Sequence, residues 1–514
     1  MTRVGVEMNI HSRIRWGIGC VLALCCIAGL VQVCGFAQGA AAQSSTVSAV
    51  MFSDLHLDPF HDPAKVPLLV KAPVEEWETI LRSPDSATQA ADFAAVQMAC
   101  KGKQTFDSPY ALLIGGLLAA KTKAPNTQFV TVSGDLLVHD LDCRYRAAMK
   151  LPKEMRDDQS VSAAFAEKTT VFVMKQVEKV FAGVPVYLAL GNNDSRCKHN
   201  RLDIHDEYLK ATGQALIDGL IGVSAVERKL ALATYDSGGY YGVTMAAPME
   251  RTRLLVLDDI YMMSGYSNCE ADDTDQKGAQ EQLAWLAREL DGARQRGERV
   301  WVLGHVPPEI NPKAALAKGI ALCTGGDVEG YLSSDAFVNS LTTHADVVRL
   351  ALFGHTHMDE LHLLGSKGAE VPMKVVASVS PVDGNTPSVT VAKVSPASAM
   401  LTDYTVYTAS NTTGVGTTWA KEYAFGETYG ETSFSSKALE DLIGRFRADT
   451  SGTGGESLAY QTHFYKGHAP ISLGPFWQAY VCSLDHATGD GFKGCVCGAN
   501  DVAHCVHTSQ LSHE

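Results

Sequence analysis

The sequence predicts an α/β fold, in which short strands alternate with helices and ligands bind where the strands end. Six runs rich in Val, Leu and Phe are typical of strands, and each is closed by Gly, Asp or His. These runs are 46–53, 128–133, 184–190, 252–257, 300–303 and 350–353. Between them, 275–296 and 336–350 carry apolar residues at helical spacing, which predicts amphipathic helices. A chain of 514 residues with 46% hydrophobic residues can also bury a large core.

The chain is predicted to contain one large domain with an addition at each end. Residues 1–42 read as a secretory signal peptide, because arginines precede the apolar run 16–31 and small residues follow it. An uncleaved membrane anchor is the alternative, since that run falls just short of the length that spans a bilayer. Residues 43–400 form the predicted main domain, and 401–514 a helix-rich, cysteine-containing segment packed against it. The protein is expected to be secreted or periplasmic, or else membrane-tethered, and its oligomeric state stays open.

Cysteine usage fits an oxidising compartment. Four of the 13 cysteines lie in the first 42 residues, which leaves nine, and most of these are expected to form disulfides. Because nine is odd, at least one thiol is free or pairs between chains. The last four cysteines crowd the tail, where disulfides are favoured over a zinc knuckle because the spacing is not a paired C-x2-C set. They are Cys482, Cys495, Cys497 and Cys505.

The formal charge of −14 excludes two classes of partner. Non-specific binding to nucleic acid or to an anionic membrane surface needs clustered Lys and Arg. An anionic substrate would have to meet local positive charge, which bound metal ions can supply.

Seven side chains at the ends of predicted strands are candidate metal ligands. They are Asp54, His56, Asp135, Asn192, His305, His355 and His357. Each alone is more often a turn, cap or hydrogen-bonded core residue. However, five separate segments that each end a strand with Asp, Asn or His are improbable by chance, and the combination favours a metal site. The rings of His355 and His357 are expected to point to one face of a strand, because alternate residues do so.

These residues lie in five motifs that resemble those of the calcineurin-like metallophosphoesterases. The motifs read SDLH, SGD, GNND, GHVPP and GHTH, and the resemblance runs from about residue 48 to about residue 382. It implies a two-sheet α/β sandwich flanked by helices, with two divalent metal ions at the strand ends. The implied ligands are Asp54, His56 and His357 for one ion, Asn192, His305 and His355 for the other, and Asp135 as the bridge.

Imidazole, amide and carboxylate ligands suit zinc, the expected metal, with Fe, Mn or Co as alternatives. Two such ions lower the pKa of a shared water and hold the phosphoryl oxygens during in-line displacement. The resemblance therefore implies a metal-bridging hydroxide as the nucleophile. Metal affinity should fall in acid, because each imidazole binds as the neutral ring.

The sequence departs from the family at Asn193, where His is usual and can help to protonate the leaving group. An amide can donate a hydrogen bond to a phosphoryl oxygen but cannot deliver a proton near neutral pH. The segment SGDLLVHDLDCRY resembles that of the acid sphingomyelinase-like phosphodiesterases, a branch in which this histidine lies beside the departing oxygen. His139 is therefore the candidate acid, and a surface-loop histidine is the alternative.

The predicted function is a secreted phosphoesterase that hydrolyses a phosphodiester or pyrophosphate bond of a small anionic substrate, such as a nucleotide or polyphosphate. Acid sphingomyelinases carry a saposin-like domain before the catalytic part, and the short stretch between the predicted cleavage site and Asp54 leaves no room for one. Bilayer sphingomyelin is therefore disfavoured, and no stable membrane association is expected after signal cleavage. The alternatives are a sphingomyelinase-type lipid phosphodiesterase, an endopolyphosphatase, a monoesterase, and an inactive metal- or phosphate-binding protein.

Overall fold

The computed structural model describes residues 46–100, 106–152, 155, 160–269, 276–465 and 473–498, and within them twelve strands form two six-stranded sheets. The predicted signal peptide and Cys505 lie outside these residues. The strands are β1 Val47–Phe52, β2 Thr127–Ser133, β3 Val186–Ala189, β4 Tyr241–Thr244, β5 Thr252–Val256, β6 Arg299–Leu303, β7 Val348–Phe353, β8 Glu360–Leu364, β9 Val371–Val375, β10 Ser388–Ser395, β11 Met400–Ala409 and β12 Trp419–Ala424.

The helices cover the outer faces and form the end of the chain. They are α1 Val66–Lys71, α2 Trp77–Arg82, α3 Gln89–Cys100, α4 Tyr110–Lys123, α5 Leu141–Ala148, α6 Ser160–Val180, α7 Glu207–Asp218, α8 Ala225–Gly238, α9 Lys277–Arg296, α10 Pro312–Ala317, α11 Ala336–Thr343, α12 Phe425–Tyr429, α13 Ser436–Ala448, α14 Gly455–Phe464, α15 Trp477–Ser483 and α16 Gly489–Gly498. Short 3-10 turns occur at Pro63–Lys65, Val74–Glu76, Asp259–Met262, Gly319–Leu322 and Gly474–Phe476.

The first sheet has the order β12-β11-β10-β1-β2-β3. Its strands β1, β2 and β3 run parallel, and β10, β11 and β12 continue the sheet in antiparallel pairs. Val50 in β1 pairs with Val130 on one side and Val391 on the other. A strand flanked on both sides and buried on both faces reads as a continuous apolar run, as β1 does.

The second sheet has the order β4-β5-β6-β7-β9-β8 and packs against the first. Strands β5, β6, β7 and β9 are parallel, whereas β4 and β8 are antiparallel edge strands. Across the two sheets, the rings of Phe129 and Trp301 meet edge to face with centroids 5.6 Å apart, and both are buried. Trp301 Nε1 donates a hydrogen bond to the Ala399 carbonyl at 2.6 Å. The predicted two-sheet sandwich flanked by helices is therefore confirmed.

All six predicted strands are present, with ends within two residues of the predicted ones. The helix predicted over 336–350 ends earlier, at Thr343, because residues from Val348 onward pair with β6 in the sheet. The boundary predicted at residue 400 falls at the start of β11, which pairs with β10 along its length. The helical segment therefore begins at Phe425, after β12.

Helix α13 shows why the C-terminal segment packs against the sheets. Four of its apolar side chains are spaced at helical intervals and are fully buried, and they are Leu439, Leu442, Ile443 and Phe446. The Ser435 hydroxyl caps the helix by accepting a hydrogen bond from the Ala438 N–H at 3.3 Å. This buried stripe fixes the segment beside β8 and β9.

Four disulfides join the eight cysteines that the structure describes. The pairs are Cys100–Cys143, Cys197–Cys269, Cys323–Cys497 and Cys482–Cys495. The prediction of disulfides rather than a zinc knuckle in the tail is thus confirmed for three of the four cysteines named there. Such bonds form and persist in oxidising compartments.

Across the described part of the chain, no helix combines the length and the apolar character that crossing a bilayer requires.

Candidate metal centre

Five loops carry the seven candidate ligands to one edge of the sandwich. Each loop directly follows a strand, namely β1, β2, β3, β6 or β7. Gly134 shows how the loops approach one another, because its φ is +82° and a Cβ there would lie 2.8 Å from both the Gly191 nitrogen and His305 Nδ1. Only a residue without a side chain fits this crossing.

Five of the seven candidate ligands themselves have left-handed backbone. Their φ values are 50° at Asp54, 38° at His56, 55° at Asp135, 71° at His355 and 64° at His357. Among the described residues, these five make up half of the ten non-glycine positions with positive φ. Such conformations are uncommon and costly, and they concentrate at functional sites.

The first group of ligand atoms surrounds the Nε2 atoms of His56 and His357, which lie 3.3 Å apart. His357 Nε2 is 3.3 Å from Asp54 Oδ1, and His56 Nε2 is 3.8 Å from the same oxygen. All three side chains are almost completely buried. These are the three residues that the resemblance assigns to one ion.

The second group centres on Asn192 Oδ1, which lies 2.9 Å from His305 Nε2 and 2.9 Å from His355 Nδ1. His355 and His357 therefore serve different groups. The expectation that their rings share one face of a strand is wrong, because β7 ends at Phe353 and both residues follow it in left-handed conformation.

Asp135 lies between the two groups. Its Oδ2 is 3.3 Å from His56 Nε2 and 3.3 Å from His305 Nε2. One carboxylate oxygen thus faces a ring nitrogen of each group, which is the position a bridging ligand would occupy.

Backbone carbonyls set the orientation of two of the rings. His56 Nδ1 lies 2.6 Å from the Leu137 carbonyl, and His305 Nδ1 lies 2.7 Å from the Ser133 carbonyl. Because a carbonyl only accepts, each Nδ1 carries the proton and donates it, which leaves Nε2 free to act as a ligand. Both rings therefore present a lone pair to the carboxylates, an arrangement that a cation would satisfy.

The pKa shifts follow from burial and from the packing of like and unlike charges. Burial, assisted by His139, lowers the pKa of His56 to about 4, and burial with His305 lowers that of His355 to about 3. Burial opposes ionisation of Asp135, but His305 and His56 hold its pKa well below the usual value. Burial opposes the charge on His305, but Asp135 raises its pKa to about 10. His56 and His355 are therefore neutral, as metal binding requires, whereas a metal ion would have to displace a proton from His305.

Asn193 is held by the bridge residue. Its backbone N–H donates to Asp135 Oδ1 at 2.8 Å, and its side-chain Nδ2 donates to Asp135 Oδ2 at 2.8 Å. In the structure the amide orients Asp135, and its second N–H is available for the hydrogen bond to a phosphoryl oxygen that the sequence predicts.

His139 stacks on His56, with ring centroids 4.2 Å apart. One of its ring nitrogens lies within 4.8 Å of the ligand atoms of His56 and His357. Its Nδ1 is 3.0 Å from Asp107 Oδ1, and its backbone N–H donates to Asp107 Oδ2 at 3.1 Å. Burial opposes the charge, yet Asp107 raises the pKa of His139 to about 9.

Sequence reasoning missed Asp107, Asp259 and Tyr331. Asp259 accepts hydrogen bonds from the backbone N–H groups of His305 at 2.8 Å and Val306 at 3.0 Å. The Tyr331 ring meets His355 edge to face at 5.3 Å. Asp259 was detectable, because it follows the predicted strand 252–257, but Asp107 and Tyr331 lie in segments with no strand signal.

A cavity of about 270 Å³ opens beside Asn193. Arg146, Lys198 and His199 contribute to its lining, together with the Cys143 and Cys197 ends of two disulfides. Asp140 and Asp142 also line the cavity, and Arg146 is ion-paired with Asp142, so the cavity carries charges of both signs.

Comparison with known proteins agrees with this geometry. The profile of the calcineurin-like phosphoesterases matches residues 49–359. Acid sphingomyelinase-like phosphodiesterase 3b of Homo sapiens is 24% identical over 464 residues, which cover 86% of this chain and 89% of that one. Cyclic GMP-AMP phosphodiesterase SMPDL3A of Rattus norvegicus is 23% identical, covering 65% of this chain and 70% of its own. Sphingomyelin phosphodiesterase of Bos taurus is 27% identical, covering 57% and 44%.

Among solved structures, a dimetal phosphatase from Danio rerio aligns with 73% of this chain and 98% of its own, at 12% identity and a TM-score of 0.39.

Proposed function

The chain belongs to the calcineurin-like phosphoesterases and is therefore a phosphoric ester hydrolase, and we propose that it is a secreted phosphodiesterase. We propose further that it uses two divalent metal ions and that zinc is the preferred metal. The observation that carries the proposal is the position of Asp135 Oδ2, 3.3 Å from a ring nitrogen of each ligand group. A single carboxylate shared by two imidazole-containing groups is the arrangement that a dinuclear centre requires.

The seven candidate ligands fit such a pair of ions by the chemistry of their donor atoms. Asp54, His56 and His357 would hold one ion, and Asn192, His305 and His355 the other, with Asp135 shared. When bound, two divalent ions supply a nucleophile at neutral pH and positive charge for the phosphoryl oxygens. The hydrogen bonds from Asn193 keep the shared carboxylate fixed in its bridging orientation.

His139 is proposed to protonate the departing oxygen. It lies beside the first ligand group, and Asp107 both holds its Nδ1 and favours its protonated form. A poor leaving group such as an alkoxide needs a proton as the bond to phosphorus breaks. Asn193 cannot supply a proton, so in this proposal the proton comes from His139. A proton donor of this kind suits a diester, whose leaving group is often an alkoxide.

A soluble diester or pyrophosphate with anionic character is the proposed substrate. The cavity beside Asn193 can take the part of the substrate beyond the reacting phosphoryl group, where Lys198, and Arg146 if it exchanges its partner Asp142, would meet the substrate's charge. A relative is named a cyclic GMP-AMP phosphodiesterase, which supports nucleotide-containing diesters as the first candidates.

A lipid phosphodiester is the second candidate. Phe106 is a large apolar residue that is 50% exposed, and it adjoins Asp107, the partner of His139. An exposed apolar side chain at this position is suited to contact with lipid. A sphingomyelin phosphodiesterase is also among the relatives.

The test is hydrolysis by protein purified from an oxidising compartment and loaded with zinc or manganese. We expect release of p-nitrophenol from bis-p-nitrophenyl phosphate and cleavage of a dinucleotide, and little release from vesicles that contain sphingomyelin. Asp135→Asn serves as the inactive reference. Equal inertness of both proteins toward several activated diesters would refute the proposal, and faster cleavage of vesicles than of dinucleotides would favour the lipid substrate.

A further inference from the structure

A second cluster of metal-type side chains lies outside the proposed catalytic centre. Glu360 and His362 are two residues apart in β8 and therefore project from the same face of the strand. Glu309 reaches them from the loop that follows β6. His362 Nε2 is 2.8 Å from Glu309 Oε2 and 3.3 Å from Glu360 Oε2. All three residues are at most 4% exposed.

The hydrogen bonds around this cluster leave one carboxylate unsatisfied. Glu360 accepts hydrogen bonds from Thr356 Oγ1 at 2.6 Å and from the Tyr480 hydroxyl at 3.0 Å. Within the described residues, neither oxygen of Glu309 accepts a well-aligned hydrogen bond, although one of them points at His362. A buried carboxylate without such bonds is costly, and its position in native structures calls for an explanation.

The His362 ring presents a lone pair to both carboxylates in its neutral form. Its Nδ1 lies 3.4 Å from the Ser483 carbonyl, which can only accept, so the ring proton resides on Nδ1. The neutral Nε2 then faces two carboxylate oxygens, which repel it. Either a second proton or a metal ion must lie between them.

A divalent ion would balance the charge of this cluster. With His362 protonated and both glutamates ionised, the buried site carries a net charge of −1, and burial, opposed by His362 and assisted by Glu360, raises the pKa of Glu309 to about 7. The other titratable groups that face it are the phenols of Tyr331, Tyr460 and Tyr480, which are neutral. Nearby Lys374 is engaged with Asp359 and backbone carbonyls. A divalent ion with neutral His362 brings the cluster to zero charge.

We propose that Glu309, Glu360 and His362 bind a third divalent ion, zinc by preference, at a structural site separate from the catalytic centre. Two carboxylate oxygens and one imidazole nitrogen are a ligand set that zinc accepts, and a water can complete a four-coordinate shell. A cavity of about 110 Å³ lies on the Glu309 side of the cluster and is lined in part by Glu309, Ser333 and Ala487.

The site would tie the catalytic loops to the C-terminal segment. Glu309 lies four residues after His305, and Glu360 three residues after His357. On the other side, Tyr480 and Ser483 of α15 contact Glu360 and His362. Binding of the ion is therefore expected to hold together the loop after β6, the strand β8 and the helix α15.

Anomalous diffraction at the zinc edge, from crystals of the full chain soaked in zinc, tests the site directly. We expect a peak between Glu309 and His362 in addition to any peaks near Asp135. Peaks near Asp135 alone would overturn the third site and leave His362 as an imidazolium in an ion pair. A peak at the third site alone would support this site while contradicting the dinuclear proposal, so the two failures are distinguishable.

Metal analysis of a variant gives an independent measurement. His362→Gln should lower the zinc content by about one equivalent per chain relative to the wild type. The matched control is His463→Gln, because His463 also pairs with a glutamate, Glu422, at 2.8 Å, but with a single carboxylate. Equal zinc content in folded His362→Gln and wild type would contradict the proposal, and if the variant does not fold, the diffraction experiment decides.

Discussion

Replacing His139 by Asn should reduce hydrolysis in proportion to the basicity of the leaving group. His139 stacks on His56 at 4.2 Å and is held by Asp107 at 3.0 Å, and from this position the proposed function has it donate a proton to the leaving group. General acid catalysis contributes about 10²- to 10⁴-fold, which corresponds to about 3–5 kcal/mol of transition-state stabilisation. For an alkoxide leaving group that whole factor should be lost. For p-nitrophenolate, which departs without a proton, the loss should be below about tenfold.

The assay compares kcat/KM for a dinucleotide and for bis-p-nitrophenyl phosphate in wild type and in His139→Asn. His486→Asn is the matched control, because His486 is similarly exposed and its Nδ1 lies 2.6 Å from Asp485 in the C-terminal segment. The control should leave both rates unchanged. Equal losses on both substrates in His139→Asn would refute the role as an acid and indicate a purely structural one.

Asp107→Asn extends the same reasoning to pH. Asp107 raises the pKa of His139, and activity requires the protonated ring, so activity is lost as pH rises through that pKa. Two bound cations would lower the pKa of His139 from the value of about 9, but Asp107 would still raise it relative to a protein without this carboxylate. Without the carboxylate, the basic limb of the pH profile should move to lower pH. An unmoved basic limb would show that another group supplies the proton.

Three further outcomes follow from the site. Asp135→Asn should lower kcat/KM by on the order of 10³-fold, or about 4 kcal/mol, and lower the bound metal measured by elemental analysis; unchanged metal content would contradict the bridging role. Arg146→Gln and Lys198→Gln should each raise KM for an anionic dinucleotide about three- to tenfold with little change in kcat, and a fall in kcat alone would argue against a binding role. In metal-free protein, the unfolded state binds more protons than the folded state below pH 6.5, because the folded pKa of His56 is about 4. Stability to urea should therefore fall by up to about 3 kcal/mol from this group as pH drops from 6.5 to 4, and His56→Asn should weaken that dependence.

The strands that carry the ligands could be predicted because they are short, apolar and closed by polar residues. The end of the helix predicted over 336–350 could not, because Val348 and Leu350 suit a buried strand as well as a helix face, and only pairing with β6 decides between them. Strand β11 was missed although its Tyr, Thr and Val residues favour a strand. Its burial does not alternate regularly, and its place in the first sheet is fixed by pairing with β10.

The seven candidate ligands could be named from the sequence, and the structure brings them together, whereas the residues that support them could be predicted only in part. Asp107 lies 32 residues before His139, and their contact depends on the tertiary fold. Asn193 was recognised as a departure from the family, but its contact with Asp135 required coordinates. Residue type and strand position thus predict which side chains meet at this edge of the sandwich, and tertiary packing determines which residues orient them.

Five of the seven candidate ligands have left-handed backbone, which lowers the stability of the fold at the edge where the proposed reaction takes place. Each such conformation costs on the order of 1–3 kcal/mol, which contacts elsewhere in the fold must offset. Selection or engineering for heat resistance alone would therefore favour glycine at these positions, and it would remove the reaction along with the strain.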